Sequence, residues 1–299
     1  YHASPEKPLH LYYGDFDGSG VMQIIEAEYE DNTLYPIRGR SCSSTAMPFL
    51  LDKFDTFSGF AMASVQEIYT PTSLEAAHEF TAKELRSGIL INDGAGGFEF
   101  RPLPRIAQIA PGFGVAFSDV DGDGNPDLYI AQNFFSPQAE TGHMAGGVSQ
   151  LLLGDGNGDF AAVDALRSGL VVSGDAKSLV QADLDGDGWK DFIVGVNDAA
   201  LEVFQRTGSA TGADPITIRL VGKVGNTSAV GSRVSVKAGE FTQTAEVYSG
   251  SGYLSQSSAA LTFARVGNEQ PQIEVRWPDG KTSVVDSAEG KNIEIAQPE

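Results

Sequence analysis

The sequence predicts an all-β protein with a small helical insertion, and three observations carry that prediction. Short apolar runs of strand length recur along the 299 residues, bounded by turn residues. Glycine is abundant, at 35 residues, while only 20% of the chain is charged, a composition that suits many short strands joined by tight turns. Two hairpin types alternate, one with an acidic turn and one with a Gly-rich turn ending in Phe. The acidic turns at 119 and 183 are about 64 residues apart and the Gly turns at 93 and 155 about 62, and a repeat of that length holding four strands reads as a β-propeller blade.

Taken in order, residues 1–10, with Pro5 and Pro8, read as a leader or a linker. Residues 11–30 read as a first hairpin around the acidic turn 15–23; beyond it Ile25, Ala27 and Tyr29 alternate with Glu26, Glu28 and Glu30 at strand period. Residues 31–41 are polar and read as irregular. Over about 42–86 the texture changes. Met47, Phe49, Leu50, Leu51, Phe54, Phe57, Phe60, Ala61, Met62, Val65 and Ile68 recur at mixed three- and four-residue spacing, which predicts two short amphipathic helices, with a third over 71–78. Apolar helical faces are usually core, so this insertion is expected to cap a sheet edge rather than to build a partner surface. Residues 89–101 read as strand, Gly-rich turn, strand, and 150–160 repeat them. Residues 207–215 are a linker by composition. After it, Ile216, Ile218 and Leu220 alternate, as do Val234 and Val236, while Ile273, Val275 and Trp277 lead into the turn Pro278-Asp279-Gly280. Residues 1–207 thus read as propeller blades, and 214–299 as a small β-sandwich-like domain.

The acidic turns carry the chemistry. Asp119, Asp121, Asp123 and Asp127 fall at positions 1, 3, 5 and 9 of one loop, and Asp183, Asp185, Asp187 and Asp191 repeat the spacing in the next. So much like charge in so few residues is costly unless a cation sits among them. Carboxylates are hard oxygen ligands, and calcium accepts about six to eight oxygens in flexible geometry. Gly122 and Gly124 let the first of these loops curl tightly. The backbone carbonyls of Asn125 and Trp189 can each add an oxygen at position 7. A weaker copy at 15–23 offers Asp15, Asp17, Ser19, the Val21 carbonyl and Gln23. An EF-hand needs a bidentate Glu at position 12 and flanking helices. Ile130 and Val194 stand there in two copies, and the Glu26 of the first copy lies in a strand-period run. An acidic turn that is merely solvated is the other reading of all three.

Residues 9–206 resemble the FG-GAP, or VCBS, repeat family, the blade-forming repeat of integrin α-subunit heads. The Asp-x-Asp-Gly-Asp-Gly-x-x-Asp pattern at 119–127 and 183–191 carries the resemblance, and 15–23 departs from it at Ser19 and Gln23. The resemblance implies calcium in the blade loops. It also implies a partial propeller, since three units cannot close a ring: the C-terminal portion of a larger one, an open arc, or half of an assembly. Residues 226–234, 250–257 and 275–280 resemble the ASPIC/UnbV domain. Together the two parts are similar to the cartilage acidic protein family and its bacterial relatives, which implies a secreted calcium-binding protein and carries over no settled activity.

Other classes are disfavoured. The net charge of −20 argues against nucleic acid and anionic membrane surfaces, and no stretch is long and apolar enough to span a membrane. Cys42 is the single cysteine, so no intrachain disulfide forms, and it reads as an unreactive thiol. The chain opens on Tyr1 rather than Met, for which a cleaved signal peptide or a longer parent chain are the two explanations. Weak calcium loops belong where calcium is plentiful, in a secreted, extracellular or periplasmic protein. A search for catalytic constellations returns little. His2, His10, His78 and His143 are scattered, His78-Glu79 lacks a second zinc-spaced His, Gly250-Ser251-Gly252 is no nucleophile elbow, and 94–97 lacks the Lys-Ser/Thr of a phosphate loop. His143, in the Gly-rich stretch 141–147, is the one residue to watch. The expectation is a non-enzymatic protein whose calcium-stapled blades present loops to a protein or glycan partner, as in adhesion. Two alternatives stay open. The chain is the scaffold of a polysaccharide-acting enzyme, marked by a pocket with paired carboxylates or by calcium with open coordination. Or it is an assembly subunit, a homo-oligomer whose chains complete one another's sheets.

Overall fold

The structure is a computed structural model that describes residues 1–137, 141–207, 213–267, 270–286 and 290–299. Contacts divide the chain into two units, Tyr1–Arg86 and Ser87–Glu299.

In the first unit β1 (Leu9–Gly14), β2 (Gln23–Glu30), β3 (Thr33–Pro36) and β4 (His78–Ala82) form an antiparallel sheet in the order β3-β2-β1-β4. Gly14 pairs with Gln23, so the first acidic turn joins two strands, which disposes of the EF-hand. The alternation along β2 buries Ile25 and Ala27. Residues 31–41, expected to be irregular, contain β3. Glu30 pairs with Thr33 across a two-residue turn in which Asp31 takes a left-handed φ of 51°, a conformation Asp tolerates better than most residues.

The insertion holds five short helices where three were expected: α1 (Arg40–Ala46), α2 (Phe49–Lys53), α3 (Phe57–Ala61), α4 (Val65–Tyr69) and α5 (Pro71–Ala76). The cause is the density of start signals. Pro48 precedes α2, Thr56 caps α3, Ser64 and Glu67 form a capping box on α4, and Thr70 caps α5, whose first residue is Pro71. His78, placed in the third helix by spacing, opens β4 instead. Met47, Leu50, Phe60, Val65, Ile68 and Leu74 share one core with Tyr12, Ile25 and Leu34 of the sheet and Phe16 of the first acidic turn, so these apolar positions are core, whereas Phe57, Leu51 and Met62 are exposed.

The second unit starts with a hairpin, β5 (Gly88–Asn92) and β6 (Phe98–Pro102), around the turn 93–97. It pairs with no further strand among the described residues. Next, β7 (Gly112–Ser118), β8 (Asp127–Gln132), β9 (Gln150–Gly154) and β10 (Phe160–Ala162) make a four-stranded meander. This is the expected blade: the acidic turn joins β7 to β8 and the Gly-rich turn joins β9 to β10. A second sheet has three strands, β11 (Ala176–Ala182), β12 (Asp191–Val196) and β13 (Glu202–Phe204), with the other acidic turn between β11 and β12. Its first strand lies beside β7, and Gln181 Nε2 donates to the Phe117 carbonyl at 2.9 Å. Tyr129, Leu151, Leu179, Phe192 and Val194 fill the core shared by the two sheets.

The remaining strands are β14 (Pro215–Val221), β15 (Arg233–Ala238), β16 (Phe241–Glu246), β17 (Leu261–Ala264), β18 (Gln272–Arg276), β19 (Thr282–Val285) and β20 (Asn292–Ala296). They form two sheets, β17-β14-β20 and β16-β15-β18-β19. The alternating residues behave as their spacing predicts: Ile216, Ile218 and Leu220 of one sheet share a core with Val234, Val236, Ile273, Val275 and Trp277 of the other. Two sheets joined by side chains of their inner faces make a β-sandwich. Of the linker expected at 207–215, residues 208–212 lie outside the described residues, and Pro215 already begins β14. No helix among the described residues is long and apolar enough to cross a membrane.

Candidate metal centres

The acidic loop between β7 and β8 is held closed by its own carboxylates. Asp119 accepts hydrogen bonds from the backbone N–H of Gly122 at 2.6 Å through one oxygen and of Gly124 at 2.8 Å through the other. Gly122 and Gly124 take φ of 82° and 91°, the left-handed conformations that this curl requires. Asp127, 1% exposed, accepts from Val120 N at 2.6 Å and, across the blade, from Gly154 N at 2.9 Å. Oxygens of Asp119, Asp121 and Asp127 all lie within 4.8 Å of one another. Asp123 is not part of this group and accepts from Asn125 N at 2.7 Å and Asn125 Nδ2 at 2.9 Å.

The loop between β11 and β12 repeats the backbone bonds of this pattern. Asp183 accepts from Gly186 N and Gly188 N, Asp191 from Leu184 N and Arg206 N, and Asp187 from Trp189 N. Asp183, Asp185 and Asp191 converge as their counterparts do. Asp185 additionally accepts from Gln205 Nε2 at 2.6 Å.

Electrostatics agree with the geometry. Burial pushes Asp119 up to about 6 and Asp127 up to about 7, against the amide hydrogen bonds that favour their charged forms, and neighbouring carboxylates add to the rise. Buried carboxylates that face one another need a proton or a cation. An all-oxygen donor set with three converging carboxylates suits a hard divalent ion, so both loops fit calcium.

In the first unit the loop 15–23 differs at its last position. Asp15 accepts from Gly18 N, Ser19 N and Gly20 N, as a first-position Asp should. Gln23 Oε1 accepts from Phe16 N at 2.9 Å, the bond that Asp127 and Asp191 make in their loops. That fixes the amide's orientation, and its Nε2 donates to Asp17 at 3.1 Å. Where the other loops bring a third carboxylate, this one brings a donor. Ser19 at position 5 accepts from Val21 N through its hydroxyl.

Two features of the loops escape local pattern reading. Each ninth-position Asp ties its loop to the end of a later segment, at Gly154 or Arg206. Each sixth-position Gly supports the sandwich: a Cβ at Gly124 would fall 2.6 Å from the Phe241 ring, and one at Gly188 would fall 2.7 Å from Pro215. The Gly188 carbonyl accepts from Thr217 Oγ1 and Thr262 Oγ1, each at 3.2 Å. Nearby, Lys190 Nζ donates to the Ala260 carbonyl at 2.8 Å. No local signal announces these contacts, because each partner is distant in sequence.

A cleft of about 730 Å³ opens between the first strands of the two blade sheets and the sandwich, lined by Phe117, Lys190, Arg233, Glu246, Tyr248 and Ser257 among others. Other singled-out residues lie elsewhere. His143 is exposed, its ring centroid 6.0 Å from that of Phe135. Cys42 is half-buried on α1. Ser251 sits in a tight turn, its hydroxyl accepting from Ser257 N.

Comparison with known proteins gives two family matches. Residues 81–130 match the FG-GAP-like repeat family, a span that includes the 119–127 loop, and residues 222–299 match the ASPIC and UnbV family. No curated protein matches the chain.

Proposed function

We propose, for a chain that carries an FG-GAP-like repeat and a C-terminal ASPIC and UnbV domain, that the loops 119–127 and 183–191 are calcium staples of a non-enzymatic, secreted or periplasmic binding protein. One observation carries this reading. In each loop three carboxylates converge at the turn of a blade hairpin whose ninth-position Asp already holds two backbone amides and whose sixth-position Gly bears on the sandwich. A bound calcium ion supplies divalent charge and open-ended oxygen coordination, which cancels the repulsion among these acids. Asp119 and Asp183 curl the backbone, Asp121 and Asp185 bring a further carboxylate to the cluster, and Asp127 and Asp191 anchor the loop to the blade. The work of these residues is therefore to hold blades and sandwich in register. In the loop 15–23 the Gln23 amide takes the third carboxylate's place and keeps the turn closed without metal. The cleft beside the sandwich offers a protein or glycan partner aromatic rings, hydroxyls and both signs of charge on one concave surface.

The test is a count of bound ions by equilibrium dialysis at millimolar free calcium. Wild-type chain takes up about two ions, Asp121→Ala and Asp185→Ala each lose one, and Gln23→Asp gains one. Uptake of none by the wild type, or unchanged uptake by both alanine variants, contradicts the reading.

A further inference from the structure

The cleft beside the sandwich is walled by runs of consecutive residues, 115–119 on the blade side and 244–248 on the sandwich side. A sheet face presents alternate residues, so consecutive ones mean that strand edges border the cleft. The edges on the blade side are held by the chain itself. The Phe117 carbonyl accepts from Gln181 Nε2 at 2.9 Å. On β11, Gln181 N donates to Ser257 Oγ and the Gln181 carbonyl accepts from Ser258 N, each at 3.0 Å, while the Leu179 carbonyl accepts from Ser255 Oγ at 3.1 Å. The edge of β16 is different. Among the described residues β16 pairs with β15 alone. Val247 N donates to the Ser232 carbonyl at 3.0 Å and the Val247 carbonyl accepts from Gly231 N at 2.8 Å, so this residue faces β15. Antiparallel ladders alternate, so Ala245 and Gln243 face β15 as well, and Thr244 and Glu246 turn their N–H and C=O groups the other way. No Pro or Lys blunts that edge: β16 reads Phe-Thr-Gln-Thr-Ala-Glu, and its register with β15 is continuous.

We propose that the open edge of β16 captures an extended, basic segment of a partner protein, which lies in the cleft as an added strand paired with Thr244 and Glu246. The proposal rests on the reading of the cleft as a partner surface and chooses protein over glycan. An edge of unpaired backbone groups is a template for another strand. Main-chain bonds to it supply affinity, and alternate side chains of the guest supply selectivity. Phe117 and Tyr248, 50% and 61% exposed, offer rings to apolar residues of the guest. The net charge of −20 attracts a segment bearing Lys or Arg and repels an acidic one. A sugar stacks on rings and bonds to side chains, and it has no use for a backbone edge.

The experiment selects random displayed peptides of about eight residues, the length of an ordinary strand, on the full chain in millimolar calcium. The enriched peptides carry Lys or Arg and alternate apolar with polar residues. Thr244→Pro removes an outward N–H and no bond to β15, so it melts within about 3 °C of wild type yet binds these peptides about tenfold or more weakly. A second arm leaves the protein unchanged. Methylating the backbone nitrogens of every second peptide residue abolishes binding in one phase and spares it in the other, because only one set of amides faces β16. Peptides that bind Thr244→Pro as well as wild type, or that tolerate methylation in both phases, overturn strand capture. So does a wild-type dimer at micromolar concentration that Thr244→Pro dissolves, which puts a second copy on the edge. A hexasaccharide of β-linked glucose that binds wild type and Thr244→Pro alike, with no peptide enriched, overturns the proposal while leaving the cleft a partner surface. Enrichment of no peptide and binding of no sugar overturns both.

Discussion

Asp127→Ala is expected to destabilise the chain by about 2–4 kcal/mol even in chelator, because the two amides it serves, Val120 N and Gly154 N, lose their acceptor in a site closed to water. The neighbouring Asp121→Ala serves as the contrast. Asp121 is half-buried and accepts one long bond, from Asp123 N at 3.2 Å, so in chelator its loss costs about 1 kcal/mol or less. Urea unfolding of both variants in chelator separates the structural share of the loop from the metal-dependent share. Equal midpoints for the two would mean that the ninth-position Asp anchors nothing.

The second large effect is one of pH. With its carboxyls pushed up to about 7 at Asp127 and about 6 at Asp119, the metal-free folded chain binds protons that the unfolded chain, with ordinary carboxyls, has released. The sign follows from linkage: metal-free stability is greatest below about pH 4 for these two groups and is lost as pH rises through about 7. Calcium reverses the trend, since the ion requires both carboxylates charged. Affinity at the 119–127 loop should therefore fall by about a hundredfold or more between pH 8 and pH 5. Titrations at the two values check it, and a flat profile would show that these protons and the ion do not share a site.

How much of this is legible in the sequence depends on distance along the chain. The positions of both acidic loops, the blade that β7–β10 form and the inward face of Ile216, Ile218 and Leu220 are written in short-range spacing and can be read there. Four of the five helices are legible in principle, since Pro48, Thr56, Ser64, Thr70 and Pro71 mark the starts of α2 to α5; α1 starts after Gly39 without a side-chain cap. Their start signals simply count for more than the apolar spacing that suggested longer segments. The turn at Asp31-Asn32 hides because neither residue is Gly. Within the loops, spacing says which residues are acidic but not where each carboxylate points. Asp123 and Asp187 keep company with the backbone at 125 and 189, whereas Gln23 satisfies the bond of the aspartates it replaces. The contacts of Gly124 with Phe241 and of Gly188 with Pro215, and the placement of Arg206, are tertiary, and no local rule contains them.

The most direct test of calcium-stapled loops is a thermal melt in calcium, in magnesium and in chelator, on protein whose bound metal has been counted. Two loops built of flexible, all-oxygen acidic turns require a large rise in melting temperature that is specific to calcium and accompanied by about two bound ions per chain. Identical melts in all three solutions, with no ion retained, would mean that the acidic turns are only solvated and that the blades stand without metal.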